Sequence, residues 1–123
     1  MHATIEAFAK AINVKTHRVC WGGGQSGLMG IIPKVFHDRG GAVISVDAER
    51  FVEKYGRTPF GTCVVCKTFR ERQTELLEHC DVFLCLPGGI GTLSELTEVL
   101  TTNDVGVWGK TKKLALFNFR GCF

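Results

Sequence analysis

Two stretches of this chain each run from a short apolar segment through a cluster of glycines into a helical pattern, and this duplication limits the possible folds more than any other feature. In the first, Arg18 to Trp21 (RVCW) leads into Gly22-Gly23-Gly24-Gln25-Ser26-Gly27-Leu28-Met29-Gly30. In the second, Val82 to Leu86 (VFLCL) leads into Pro87-Gly88-Gly89-Ile90-Gly91-Thr92. A strand that turns directly into a helix is the building unit of a parallel sheet, because parallel neighbours need a crossover connection. Glycine accepts positive φ and lets another group approach the backbone with no Cβ in the way. The helix start that follows offers unpaired N–H groups and a positive dipole end. In a parallel sheet both loops fall at the carboxyl edge, the usual ligand crevice. A single such loop reads equally well as a tight turn. Two at equivalent junctions favour an anion site, and they suit a phosphate held between them.

The remaining pattern agrees with that architecture. Ile5, Phe8, Ala9 and Ile12 have helical spacing. From Leu28 to Arg39 the residues Leu28, Ile31, Ile32, Val35 and Phe36 repeat it. Pro33 requires that this helix begin near Gly30 or kink, and Gly40-Gly41 end it. Ala42 to Val46 (AVISV) is a buried strand, whereas Asp47 to Gly61 has no clean period and reads as a variable loop. Thr62 to Lys67 is a short strand. Thr68 with Glu71 is a capping box that opens a helix running to about His79. Thr92 with Glu95 repeats the box, and Leu93, Leu96, Val99 and Leu100 form the inner face of the helix after it. Leu114 to Phe119 (LALFNF) is a last strand. The fold class is α/β, a Rossmann-like doubly wound parallel sheet, organised as a single domain over residues 1–123. Such folds usually begin with a strand, but this pattern opens on a helix. Either that first strand is lacking, or a neighbouring chain supplies the cover.

Composition narrows the classes of function. The net charge of +3 comes from 15 basic and 12 acidic residues that are interspersed, too mild a balance to indicate nucleic acid as a partner. No apolar run approaches the ~18 residues that span a membrane, and no secretory signal is visible, so a cytoplasmic location is expected. Of the six cysteines, Cys20 and Cys85 sit in apolar runs as small hydrophobes. Cys63 and Cys66 form one C-x-x-C without a second ligand pair. Free thiols are therefore expected rather than zinc. The histidines His2, His17, His37 and His79 show no ligand spacing, and no metal site is assigned.

The first glycine loop also satisfies G-x-G-x-x-G through Gly22, Gly24 and Gly27, and Asp47 follows 20 positions later at the end of the next strand. That is the spacing of a dinucleotide site whose acid binds a ribose hydroxyl. This NAD-type reading leaves the second glycine loop without a role.

Taken together, GGG-x-x-GLMG followed by PGG-x-GT-x-x-E resembles the "Lonely guy" (LOG) family of cytokinin riboside 5′-monophosphate phosphoribohydrolases, long mislabelled as lysine decarboxylases. The resemblance runs from Ile5 to Asn118 and includes Gly22 to Gly30, Gly40-Gly41, Arg72, Asp81 and Leu86 to Val99. The family pairs an arginine in an R-K-x-x-M helix with the first glutamate of PGG-x-GT-x-x-E; here these are Arg72 and Glu95. Gln73 replaces the family lysine, Leu76 the methionine, and Thr102 a tryptophan usual after the second motif. The family's first strand, with its serine-bearing phosphate loop, and its C-terminal helical region have no counterpart in the pattern.

The resemblance implies hydrolysis of the N-glycosidic bond of a nucleoside 5′-monophosphate, AMP or an N6-substituted analogue, to free base and ribose 5-phosphate. Glu95 would be the carboxylate at the ribose, although T-x-x-E alone reads it as a helix cap. Arg72 would hold the substrate or stabilise the departing purine. Gly22, Gly23, Gly24, Gly27, Met29, Gly88, Gly89, Gly91 and Thr92 would bind substrate and phosphate. Glu98, one turn after Glu95, is either a second active-site carboxylate or a solvated acid. No cofactor is required, no lysine stands in a recognisable cofactor setting, and a homodimer is the implied assembly. A non-catalytic nucleotide or cofactor carrier of the same fold is the alternative.

Overall fold

The apolar segments pair in parallel, as the strand–loop–helix pattern requires. In a computed structural model, described for residues 1–106, 108–109 and 111–121 with the side chains of 90 and 91 excepted, the chain divides into two compact units, Met1–His79 and Cys80–Phe123.

The first unit runs α1 (His2–Ala11), β1 (Arg18–Trp21), α2 (Ile31–Asp38), β2 (Ala42–Ala48), α3 (Glu49–Tyr55), β3 (Thr62–Cys66) and α4 (Phe69–His79). Its strands form one parallel sheet in the order β1-β2-β3, with Trp21 opposite Ser45 and Asp47 opposite Val65. The central strand β2 is covered on both faces: Val43, Ser45, Val46, Asp47 and Ala48 are all buried. Helices α1 and α2 pack together through Ile5, Ala9 and Phe36, all fully buried. The Phe36 ring lies so close to Gly41 that a Cβ there would enter it. Arg39 Nη1 donates to the carbonyls of Ala9 and Ile12 at 2.9 and 2.8 Å, closing the C-terminal end of α1. Helix α2 starts at Ile31, so Pro33 falls in its first turn, where a missing N–H costs no helical bond. Thr68 caps α4 as expected, its Oγ1 accepting from the Glu71 N–H, while the Glu71 carboxylate returns one residue further back, to the Lys67 N–H, each at 3.1 Å.

One expectation fails in this unit. The segment read as a loop after Asp47 contains α3, ended by Gly56 at φ 81°. No α3 residue is buried, and its apolar residues Phe51, Val52 and Tyr55 span barely one turn, too short a run for a periodicity to stand out.

The second unit runs β4 (Val82–Cys85), α5 (Ile90–Val105), β5 (Lys113–Leu116) and a 3₁₀ turn (Phe119–Gly121). Strands β4 and β5 pair in parallel, Val82 opposite Lys113 and Cys85 opposite Leu116. Asn103 clamps the return from α5 to β5: its amide donates to the Lys112 carbonyl at 3.0 Å and accepts from the Lys112 N–H at 2.9 Å. The Lys112 ammonium lies 4.3 Å from the centre of the Trp108 ring, which stacks on Phe83. Two expectations need correction. The last strand ends at Leu116, before Phe119. Of the four apolar residues assigned to the inner face of α5, Val99 is buried and Leu96 half-buried, whereas Leu93 and Leu100 are more than half exposed. Among the described residues no helix is long and apolar enough to cross a membrane.

Candidate functional site

The first glycine loop leaves the carboxyl end of β1 and is gripped from several sides. Arg72, on α4, sends Nε to the Val46 carbonyl at 2.9 Å and Nη2 to the Gly22 carbonyl at 3.1 Å. A Cβ on Gly22 would collide with that guanidinium. At Gly23 the backbone takes φ 83°, and a Cβ would strike the Asp47 carboxylate. Gly24 faces the Met29 sulfur, 2.9 Å from where a Cβ would stand. At Gly22, Gly23 and Gly24 the groups that approach the backbone are thus Arg72, Asp47 and Met29, and a side chain there would have to displace them. Gly27, at φ 58°, has open space around it, and Met29 is half exposed.

Asp47 is buried in this cluster and accepts a hydrogen bond from the Cys63 thiol at 3.2 Å. A dinucleotide site needs that acid reaching past the loop to a ribose. Here the carboxylate is turned onto Gly23 itself, where it helps to shape the loop. Cys63 and Cys66 both lie in β3 as free thiols, as do Cys20, Cys80 and Cys85 in their segments, while Cys122 falls outside the described residues. Burial, reinforced by the charges of Glu75 and Glu71, pushes the Cys66 thiol above its ordinary value.

Two residues that the sequence reading passed over belong to this loop. Thr58 Oγ1 donates to the Gly23 carbonyl, and the Trp21 indole N–H donates to the Gly24 carbonyl, both at 3.2 Å. Trp21 is in turn stacked on Phe60, with ring centres 5.6 Å apart. Thr58 and Phe60 sit in the segment without a period, so no pattern could have announced them.

In the second unit the loop after β4 leads into α5 at Ile90, with Gly89 as its N-cap and, among the described residues, no side chain capping the start. This overturns the second capping box. Thr92 is the third residue of the helix, and Glu95 lies a further turn along, too far in to serve the first N–H groups. The Thr92 hydroxyl instead lies over Gly88, where a Cβ would meet it, whereas Gly89 has room for one. Gly91 falls in the first turn of α5. Glu95 is half-buried, and its charge, second to burial, raises the Cys85 thiol at the end of β4. Its carboxylate is therefore electrostatically close to the strand end from which the loop springs. Glu98 is exposed on the face of α5 that also carries Ser94, Thr97 and Thr101.

Parallel strands that pass through glycine loops into flanking helices define an α/β chain of Rossmann-like type. The family model described as "Possible lysine decarboxylase" matches residues 27–123, and the chain belongs to that family. It is 35% identical over 104 residues to the probable cytokinin riboside 5′-monophosphate phosphoribohydrolase LOG4 of Oryza sativa subsp. japonica, covering 84% of this chain and 44% of the relative. To the cytokinin riboside 5′-monophosphate phosphoribohydrolase LOG5 of Arabidopsis thaliana it is 32% identical over 117 residues, covering 94% and 50%. The probable LOG6 enzyme of the same plant is 34% identical over 117 residues, covering 94% and 57%. The resemblance to LOG proteins read from the glycine motifs is borne out. The chain spans about half the length of the curated relatives it matches.

Proposed function

We propose that this chain serves the hydrolysis of the N-glycosidic bond of adenosine 5′-monophosphate or an N6-substituted analogue, yielding free base and ribose 5-phosphate. The observation that carries this reading is the start of α5. Among the described residues it has no side-chain cap, a threonine hydroxyl lies over Gly88 ahead of it, and a half-buried glutamate follows one turn later, in a chain whose relatives bear phosphoribohydrolase names. The N–H groups of the glycine loops and Thr92 Oγ1 are assigned to the phosphate oxygens. Cleaving the glycosidic bond builds positive charge on the sugar. A carboxylate fixed nearby stabilises that charge and orients or deprotonates the attacking water, and Glu95 is assigned this task. Arg72 supplies a fixed positive charge at the first glycine loop and is assigned to holding the substrate or stabilising the departing base. A homodimer and a cytoplasmic location are part of the same proposal, the former checked by sedimentation.

The test is incubation of the full chain with AMP and with an N6-modified analogue, with the free base measured by chromatography. Release of base that falls by about 100-fold or more in Glu95→Gln is expected. Undiminished release in that variant removes Glu95 from its role. Binding of AMP without any release of base replaces the hydrolase by a nucleotide carrier.

A further inference from the structure

The first glycine loop is held by its carbonyls. Arg72 takes the carbonyl of Gly22, Thr58 that of Gly23 and Trp21 that of Gly24. In a trans peptide unit the C=O of one residue and the N–H of the next lie in one plane and point in opposite directions. Each tether therefore also aims an N–H. Thr58 turns the Gly24 N–H away from itself, and Trp21 does the same for the Gln25 N–H. Among the described residues these two N–H groups donate to no backbone carbonyl. The Trp21 tether is stiffened by the Phe60 stack, which itself meets His37 at 5.1 Å between ring centres. A glycine run without such tethers samples many conformations, and an anion binding to it would have to order it first.

From this we infer that Thr58 and Trp21 are positioning residues that pre-aim the N–H groups of Gly24 and Gln25 at a phosphate of the ligand. The inference rests on the reading of this loop as a phosphate site and adds to it the residues that set its geometry. Neither side chain touches the phosphate. Their effect is confined to ligands that carry one, because only the phosphate meets the N–H groups they orient.

The test compares AMP with adenosine, each titrated calorimetrically into the full chain and into Thr58→Val, Thr58→Ser and Trp21→Phe. Valine keeps the shape of threonine and removes the donor; phenylalanine keeps the stack and removes the indole N–H. Thr58→Val and Trp21→Phe are each expected to weaken AMP by about fivefold, the worth of one hydrogen bond, and to leave adenosine within about twofold. Thr58→Ser restores AMP binding. Equal weakening of AMP and adenosine, or a lowered melting temperature with AMP binding unchanged, overturns the inference and leaves the tethers merely structural. Wild-type chain that binds AMP no better than adenosine refutes the phosphate reading itself, a result distinct from normal wild-type preference with indifferent variants.

Discussion

Removing Arg72 should loosen the carboxyl end of β2 and the glycine loop beside it, and the cost can be worked from its contacts. Alanine at this position deletes the 2.9 Å bond to the Val46 carbonyl and the 3.1 Å bond to the Gly22 carbonyl. Val46 is 1% exposed, so water does not readily replace the lost donor there. A hydrogen bond to a charged group contributes about 1.5–3 kcal/mol. The guanidinium is half-buried, so the lower end applies to each bond, and the sum is about 3 kcal/mol. Urea unfolding followed by circular dichroism should show a midpoint lowered by about 1–2 M. Lysine at the same position keeps the charge without the planar fork and should recover about half of the loss. Gly22→Ala provides an independent check, since its Cβ occupies the space of the guanidinium and evicts it. If the two residues form one contact, Gly22→Ala in the Arg72→Ala background costs little more than Arg72→Ala alone. Single costs that add within about 0.5 kcal/mol in the double variant would refute the argument.

Four further outcomes follow from individual side chains. Arg39→Ala takes the guanidinium from the Ala9 and Ile12 carbonyls, of which Ala9 keeps the Ile12 N–H at 3.4 Å, and should cost about 1 kcal/mol, with faster amide exchange in α1 as the specific sign. Ser45 is fully buried in β2 and its hydroxyl has no hydrogen-bond partner among the described residues, so Ser45→Ala should be neutral or stabilising by up to about 1 kcal/mol in thermal denaturation; a loss of more than that would refute this. The thiols of Cys66 and Cys85 are held protonated by burial, and further by the carboxylates near each. Their contribution to stability is therefore complete below the ordinary thiol value of 9.0 and is lost as pH climbs through it toward the raised folded values, since the unfolded chain gives up its protons first. Glu95→Gln should speed alkylation of Cys85 at about pH 8, read by peptide mass mapping, and an unchanged rate would separate the two side chains.

What the sequence disclosed depended on how local each signal was. Thr68 and Glu71 form a cap that three-residue spacing identifies, because donor and acceptor belong to one helical turn. The same spacing misled at Thr92 and Glu95. Gly88 and Gly89 let the chain leave the strand early, and α5 begins at Ile90 with the threonine already inside it. The glycine loops were legible as loops, yet the reason for each glycine was not. Gly22 is small for Arg72, Gly23 for Asp47 and Gly24 for Met29, and two of these partners come from distant segments. Thr58 reaches Gly23 across 35 positions from a stretch with no repeat, a contact that only the folded chain reveals.

The chain has two tryptophans, and each compact unit holds one of them. Trp21 donates its indole N–H to a carbonyl and stacks on Phe60, whereas Trp108 lies beneath the ammonium of Lys112. A neighbouring cation and a neighbouring aromatic ring perturb indole emission differently, so the two residues are separate optical labels already built into the chain. A variant keeping only Trp108 reports on residues 80–123, and one keeping only Trp21 reports on the glycine loop to which its indole is bonded. Whether the units melt together or one after the other can then be read as colour, with no dye attached.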